Sequence, residues 1–297
     1  MARPESDKRV ADGRTGSGEF ILTDSDFNTI AKILHSDSGI LLAPSKSNLV
    51  YSRLAKRLRA LGLASFKEYC SYIEGAEGTS ERMSMLAALT TNVTHFFREN
   101  HHFEHLKSEL LPALLADAKK GGRVRIWSAG CSNGHEPYSI ALTVLSMMPD
   151  APNYDIKILA TDIDPNVIAF GRAGIYDEAT LEAVPKTLKQ RWFKPTGGKG
   201  GDAFEVSDAM RDLISFRELN LIGEWPMQGT FQALFCRNVT IYFDQPTREK
   251  IWHRYCRYLE PGGWFYMGHS ERLTGPATQY LAYEGTTAYR RLEGAVK

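Results

Sequence analysis

Residues 127–142, WSAGCSNGHEPYSIAL, have the types and spacing of a ligand-binding turn. An apolar run leads into Gly130 and Gly134, and a helical pattern follows with Pro137 in its first turn, where a missing N–H costs nothing. Glycines there let backbone come close to a ligand at the end of a first strand, the point where doubly wound sheets bind cofactors. A tight βα turn without a ligand has the same composition, so the turn needs support from its surroundings. The spacing is Gly-x-x-x-Gly, not the G-x-G-x-x-G that cradles a pyrophosphate, and a ligand without phosphates fits better. The next apolar run, residues 156–161, ends in Asp162 and Asp164. An acidic residue there accepts hydrogen bonds from ribose hydroxyls, and it can cap the following helix as well. A nucleoside cofactor lacking a pyrophosphate points to S-adenosylmethionine.

Other chemistry-bearing groups are weaker. His101 and His105 have the i,i+4 spacing that shares a metal on a helix, with His102 beside them. Glu104 faces elsewhere on such a helix and nothing else nearby completes a ligand set, so no metal is expected. Cys70, Cys131, Cys236 and Cys256 have no CxxC spacing and read as reduced thiols, not a disulfide frame or zinc site.

The elements that must position these groups fall into two textures. Residues 21–90 read as an all-α domain. Thr23-Asp24 opens a helix with Phe27, Ile30, Ile33 and Leu34 as its stripe, and others follow over about 45–61 (stopped by Gly62), 65–73 and 80–89. Residues 91–297 read as α/β. Apolar runs at 124–128, 156–161, 231–235 and 264–267 alternate with helical stretches, the pattern of a doubly wound, mostly parallel sheet. An insert over about 191–221, with glycines at 197, 198, 200 and 201 and runs at Phe204-Glu205-Val206 and Ile214-Ser215-Phe216, reads as a small antiparallel β-subdomain. Residues 1–20 are polar and Gly-rich, a disordered lead-in and not a signal peptide. No apolar stretch suits a membrane span, so a cytoplasmic protein without membrane insertion is expected. A net charge of +1 argues against a general nucleic-acid binder, and with no evident apolar stripe a monomer is the default.

Several motifs occur in one order: TTNVTHFFRE at 90–99, SAGCSNGHEPYS, ATDIDP, Gly174-Ile175-Tyr176, LNL at 219–221, CRNVTIYF at 236–243 and GHSE at 268–271. Together they resemble the CheR family, the chemotaxis receptor glutamate methyltransferases, over about residues 20 to 290. The resemblance implies a methyltransferase sheet with a β-subdomain behind an all-α domain, S-adenosylmethionine as cofactor and S-adenosylhomocysteine as product. It implies that Asn92, Thr94 and Arg98 contact the cofactor's methionine end or shape the transfer site, with Gly130 in the turn beneath. Glu136 would take the amino group and Asp162 the ribose; Asn220 and Leu221 would frame the adenine. Arg237 and Asn238 would line the pocket, and Tyr242 would sit beside the sulfonium. One position departs: the family's usual Gly-Glu-Glu-Pro reads Gly134-His135-Glu136-Pro137, which puts cofactor affinity and pH dependence in question.

Lys46, Arg53 and Arg57 share a helical face, broadened by Lys56 and Arg59. A solvated face is the plain reading. The resemblance makes it the docking face for the acidic methylation helices of methyl-accepting chemotaxis receptors. In some relatives the β-insert also grips a receptor's C-terminal tail peptide, a subset this sequence does not separate. A glutamate carboxylate is already an anion at neutral pH, so methyl transfer to it needs no general base, only alignment and desolvation. Arg98 and Tyr242 are therefore read as positioners. The alternatives are a methyltransferase for nucleic acid or a small molecule, a non-catalytic cofactor-binding module, and a dehydrogenase. Cys236-Arg237-Asn238-Val239 lacks the Asp/Asn-Pro-Pro-aromatic motif of amino-methylating nucleic-acid enzymes, and the dinucleotide fingerprint is missing.

Overall fold

The computed structural model describes residues 14–15, 19–90, 92–197 and 203–294. They form two compact units divided between Leu89 and Thr90. In the first, β1 (Arg14–Thr15) and β2 (Leu22–Thr23) pair antiparallel ahead of four helices: α1 (Asp24–Ser38), α2 (Ser47–Leu61), α3 (Phe66–Glu74) and α4 (Thr79–Leu89). Thr23 caps α1 in a reciprocal box with Asp26. Gly62 ends α2 at φ 68, a left-handed conformation that glycine adopts without strain. Helix α2 begins later than expected because Pro44–Lys46 winds as a 3-10 turn first. Ile30, Leu34, Leu54, Leu58, Phe66 and Ile73 meet in the core. The lead-in expected over 1–20 lies mostly outside the described residues, as do Gly198, Gly200 and Gly201.

The second unit opens with α5 (His101–His105), a π turn over Leu106–Leu110 and α6 (Leu111–Ala118). Pro112 lacks the N–H an unbroken helix would need, which accounts for the widened turn just before it. Next come β3 (Val124–Ala129), α7 (His135–Met147), β4 (Ile156–Asp162), α8 (Pro165–Ala173), β5 (Ile175–Asp177), α9 (Lys186–Trp192), β6 (Phe193–Pro195), β7 (Ala203–Val206) and α10 (Asp208–Leu213). The chain closes with β8 (Ile214–Glu218), β9 (Phe231–Cys236), α11 (Gln245–Tyr258), β10 (Leu259–Met267), β11 (Leu281–Gly285) and β12 (Ala288–Arg291).

The large sheet has the order β11-β12-β10-β9-β3-β4-β8. Strands β8, β4, β3, β9 and β10 run parallel, and β12 is antiparallel to both of its neighbours. Strand β3 lies inside the sheet between β9 and β4 with Val124, Ile126, Trp127 and Ala129 buried, as a strand covered on both faces requires. A doubly wound α/β unit is therefore what the chain forms.

The insert differs from expectation. Strands β5, β7 and β6 make the small antiparallel sheet, so its first strand lies upstream at Ile175–Asp177. The run Ile214-Ser215-Phe216 instead pairs parallel with β4 as the edge of the large sheet. A three-residue apolar run shows that a strand forms but not which sheet receives it.

Candidate active site

The turn between β3 and α7 is held by the end of β4. The amides of Gly130 and Cys131 both donate to the carbonyl of Thr161, at 2.7 and 2.9 Å. Gly130 has φ +80, and a Cβ there would come 2.3 Å from Val239 Cγ2, so both conformation and space require glycine. Ser132 is left-handed at φ 48, and its amide donates to Asp162 Oδ2 at 2.8 Å. The Ser132 hydroxyl donates to the Asn92 carbonyl at 3.2 Å, and Asn92 Nδ2 donates to Asp164 Oδ2 at 3.2 Å. Asp164 in turn caps α8 through the Asn166 amide at 2.9 Å. Asp162 thus ties the turn, and Asp164 carries the N-cap role. Burial pushes the Asp162 carboxyl up, against the Asp164 and Ser132 amides that hold it down.

On α7, Glu136 Oε1 accepts from Ser128 Oγ at 2.7 Å, and its Oε2 lies 3.5 Å from Arg237 Nη1. Burial raises the Glu136 pKa despite Arg237 and Ser128, which both favour the anion. Arg237, just past β9, also lies 3.8 Å from Glu99 Oε2, and its Nη2 donates to the Arg98 carbonyl. Among the described residues five non-glycine residues have positive φ, and Phe97, Glu99, Ser132 and Asn238 are four of them. Such strained backbone gathers where a site over-determines it.

These strand-end loops are where a family model described as "CheR methyltransferase, SAM binding domain" matches, over residues 92–289. A second, "CheR methyltransferase, all-alpha domain", matches residues 25–90. The chain belongs to the CheR methyltransferase family. It is 53% identical over 258 residues to a probable chemotaxis protein methyltransferase of Rhizobium etli, covering 87% of this chain and 96% of that one. It is 42% identical to chemotaxis protein methyltransferase 2 of Pseudomonas aeruginosa, covering 92% and 95% of the two chains. With the chemotaxis protein methyltransferase of Escherichia coli the identity is 37%, over 90% and 91%.

Within this CheR domain the expected residues do not all fall in one place. Asn92, Gly130 and Asp162 form one cluster; Arg98, Glu136 and Arg237 form a second. Asn238, at φ 59, is fastened by Glu271: Oε2 accepts from the amides of Asn238 (2.7 Å) and Gly268 (2.8 Å). Oε1 accepts from Thr240 N at 2.8 Å and Oγ1 at 2.6 Å. A Cβ on Gly268 would sit 2.5 Å from Asn238 Nδ2, which explains the glycine of GHSE. Glu99 and Glu271 are the residues sequence reasoning gave no role, although both stood inside quoted motifs.

Arg98 Nη1 donates to the Val93 carbonyl at 3.0 Å, bracing its own loop. Tyr242 ends a short 3-10 turn with its side chain 38% exposed. Leu221 is buried, its carbonyl accepting from Trp225 Nε1 and Arg254 Nη1, and Asn220 Oδ1 accepts from the Ile222 amide. Thr94 lines a separate cavity of about 530 Å³ with His95, Asn133, His135, Tyr176, Asp177 and Glu182. His135 is buried beside Phe96 and Tyr176, at ring distances of 4.9 and 5.0 Å, so it faces away from Glu136. Burial lowers its pKa to about 4.

His105 bonds Tyr266 at 3.0 Å and does not pair with His101. Ligand atoms of Glu99, His101 and His102 do lie within 4.8 Å of one another. The positive charge at that spot is already the guanidinium of Arg237, 3.8 Å from Glu99. On α2, Arg57 is turned onto Glu81 and Arg53 Nη1 donates to the Ala88 carbonyl. Arg59 pairs with Glu19 at 2.8 Å, while Lys46 and Lys56 are exposed. No helix of the described residues is long and apolar enough to cross a membrane.

Proposed function

We propose that this chain transfers the methyl group of S-adenosylmethionine to glutamate side-chain carboxylates of chemotaxis receptors. The observation that carries the reading is the pair of half-buried carboxylates flanking the turn between β3 and α7, Glu136 at the start of α7 and Asp162 at the end of β4, within the matched CheR cofactor domain. The donor set fits such a cofactor. Burial penalises the charged form of Glu136, so a cationic amine beside it relieves that penalty. Asp162 accepts one amide from the turn (Ser132) and one from its own loop (Asp164), one on each oxygen, and each oxygen retains acceptor capacity for a ribose diol. Asn238 Oδ1 is buried with no partner among the described residues, an acceptor left for a ligand.

When bound, the cofactor supplies a methyl group already activated on a sulfonium. What remains for the chain is to bind, orient and exclude water. Glu136 holds the amino end and Asp162 the ribose. Arg98 braces the loop on which Thr94 and Asn92 stand, and Tyr242, on its exposed turn, orients the incoming carboxylate. That acceptor is ionised at neutral pH, and positioning of this kind is worth roughly 7–11 kcal/mol. The exposed Lys46, in the 3-10 turn ahead of α2, and Lys56 on α2 steer an acidic receptor helix in the cytoplasm.

The test is to incubate the protein with methyl-labelled S-adenosylmethionine and receptor-containing membranes, then treat with base. Label released by base supports a carboxyl ester. Base-stable label, or label on nucleic acid, rejects it.

A further inference from the structure

Arg237 is a guanidinium shared between two carboxylates and closed on neither. Its side chain is 2% exposed, with Nη1 3.5 Å from Glu136 Oε2 and Nε 3.8 Å from Glu99 Oε2. Both separations exceed hydrogen-bond length, and Nη1 and Nε have no hydrogen-bond partner among the described residues. The cation is tethered by its remaining nitrogen on the Arg98 carbonyl and lies over the Phe103 ring at 5.4 Å. Glu99 is itself pinned from the far side, where Oε1 accepts from His269 Nδ1 at 2.9 Å and from the His269 amide at 3.3 Å.

The charge count follows from the residue types. Within ion-pair range Glu99 and Glu136 contribute one negative charge each against the one positive charge of Arg237, while the Arg98 charge acts on Glu136 and Arg237 from farther off. An arginine stays protonated, so this balance holds at any working pH at which both carboxylates are ionised. With Glu99 made neutral, Arg237 has a single carboxylate left. A buried guanidinium then closes on Glu136, in the short, charge-assisted geometry such pairs adopt. Glu136 would then have no charge to offer a ligand.

We propose that Glu99 is a positioning residue for cofactor binding: by holding Arg237 off Glu136 it keeps Glu136 available to the ammonium group of the cofactor. The proposal rests on the reading that Glu136 receives that amino group. Glu99 touches no cofactor atom in this account; it acts through Arg237.

The experiment measures binding of three ligands to the full-length protein by calorimetry. S-adenosylmethionine and S-adenosylhomocysteine carry the ammonium, whereas 5′-methylthioadenosine has the nucleoside thioether without it. Glu99→Gln keeps the side chain's shape and an acceptor for His269. It is expected to weaken both amino-acid-bearing ligands about ten-fold or more, the effect of losing one charged hydrogen bond, and to leave methylthioadenosine unchanged. Glu99→Asp, which restores the charge, is expected to recover most of the loss. His269→Ala, a change at a side chain 65% exposed, is expected to give a smaller loss with the same ligand selectivity and keeps the test open should Glu99→Gln fold poorly. Equal weakening of all three ligands, or no weakening of any, overturns the proposal. Glu136→Gln run on the same panel separates the two readings. If Glu136→Gln shows no preference for ligands bearing the ammonium, the assignment of Glu136 fails; if only Glu99→Gln lacks it, this inference fails alone.

Discussion

Arg57 in the helical unit and Arg237 in the α/β unit are both arginines held against carboxylates within a packed unit. Arg57 meets Glu81 in a fork, with Nε at 2.9 Å and Nη2 at 2.5 Å, and Tyr69 adds a third hydrogen bond to the same carboxylate at 3.0 Å. One positive charge faces one negative charge, and the Glu81 bond is what raises the Arg57 pKa. Arg237 has two carboxylates, neither at hydrogen-bond distance, and burial lowers its pKa. The closed pair is satisfied within itself; the open one sets two carboxylates against one guanidinium and leaves donors unmet. His135 shows a third way to bury a base, because it is neutral between Phe96 and Tyr176. Closure serves stability, whereas an incompletely satisfied cluster is what a binding site can use.

The comparison breaks most severely at the closed pair. Arg57→Ala leaves the Glu81 carboxylate, whose side chain is 4% exposed, without its cation. The expected cost is about 3 kcal/mol by urea unfolding, and a loss under about 1 kcal/mol would make the pair no better than a surface one. At His135 the effect depends on pH. The unfolded chain's histidine takes a proton near pH 6.5, whereas the folded one does so near 4, so acid favours unfolding between those values. Stability present above pH 6.5 is lost by about 3 kcal/mol as pH falls to 4, and His135→Phe is expected to flatten that part of the acid limb. An unchanged acid limb would show that His135 does not titrate as its burial implies.

The open cluster gives smaller effects, read in cofactor binding and not in folding. Glu136→Gln is expected to weaken S-adenosylmethionine roughly 10- to 100-fold with little change in melting temperature. Asp162→Asn is expected to cost about ten-fold, and to weaken methylthioadenosine as well, since the ribose is common to both ligands. Last come α2 and the turn before it, where Lys46→Glu with Lys56→Glu should slow receptor association a few-fold at low salt and less at high salt. An association rate indifferent to these changes would move the docking face elsewhere.

How much was legible in the sequence depended on the range of the interaction. Local signals read well: the Thr23 cap with Asp26, the Gly62 stop and the strand runs at Val124–Ala129 and Phe231–Cys236. The adjacency of the glycine turn and Asp162 was legible too, because a turn and the next strand end are tied by a repeating architecture. Partners far apart in the chain did not. Helical spacing placed Arg53 and Arg57 on one face but not Glu81 opposite it, 24 residues on, so a charge read as available for docking is consumed inside the unit. Glu99 and Glu271 had no role in the sequence reading, since their partners His269 and Asn238 approach from other segments. The Ile214–Glu218 strand was placed in the wrong sheet for the same reason, its partner being β4.

The most direct measurement is to map the methyl group itself. Receptor incubated with the protein and S-adenosylmethionine is digested, and its peptides are sequenced by tandem mass spectrometry. The account predicts a single added methyl on glutamate side chains, lost on mild base and reduced roughly 10- to 100-fold when Glu136→Gln replaces the natural protein at the same subsaturating cofactor concentration. A methyl on lysine, arginine or a backbone terminus, or undiminished glutamate methylation by Glu136→Gln under those conditions, would contradict it.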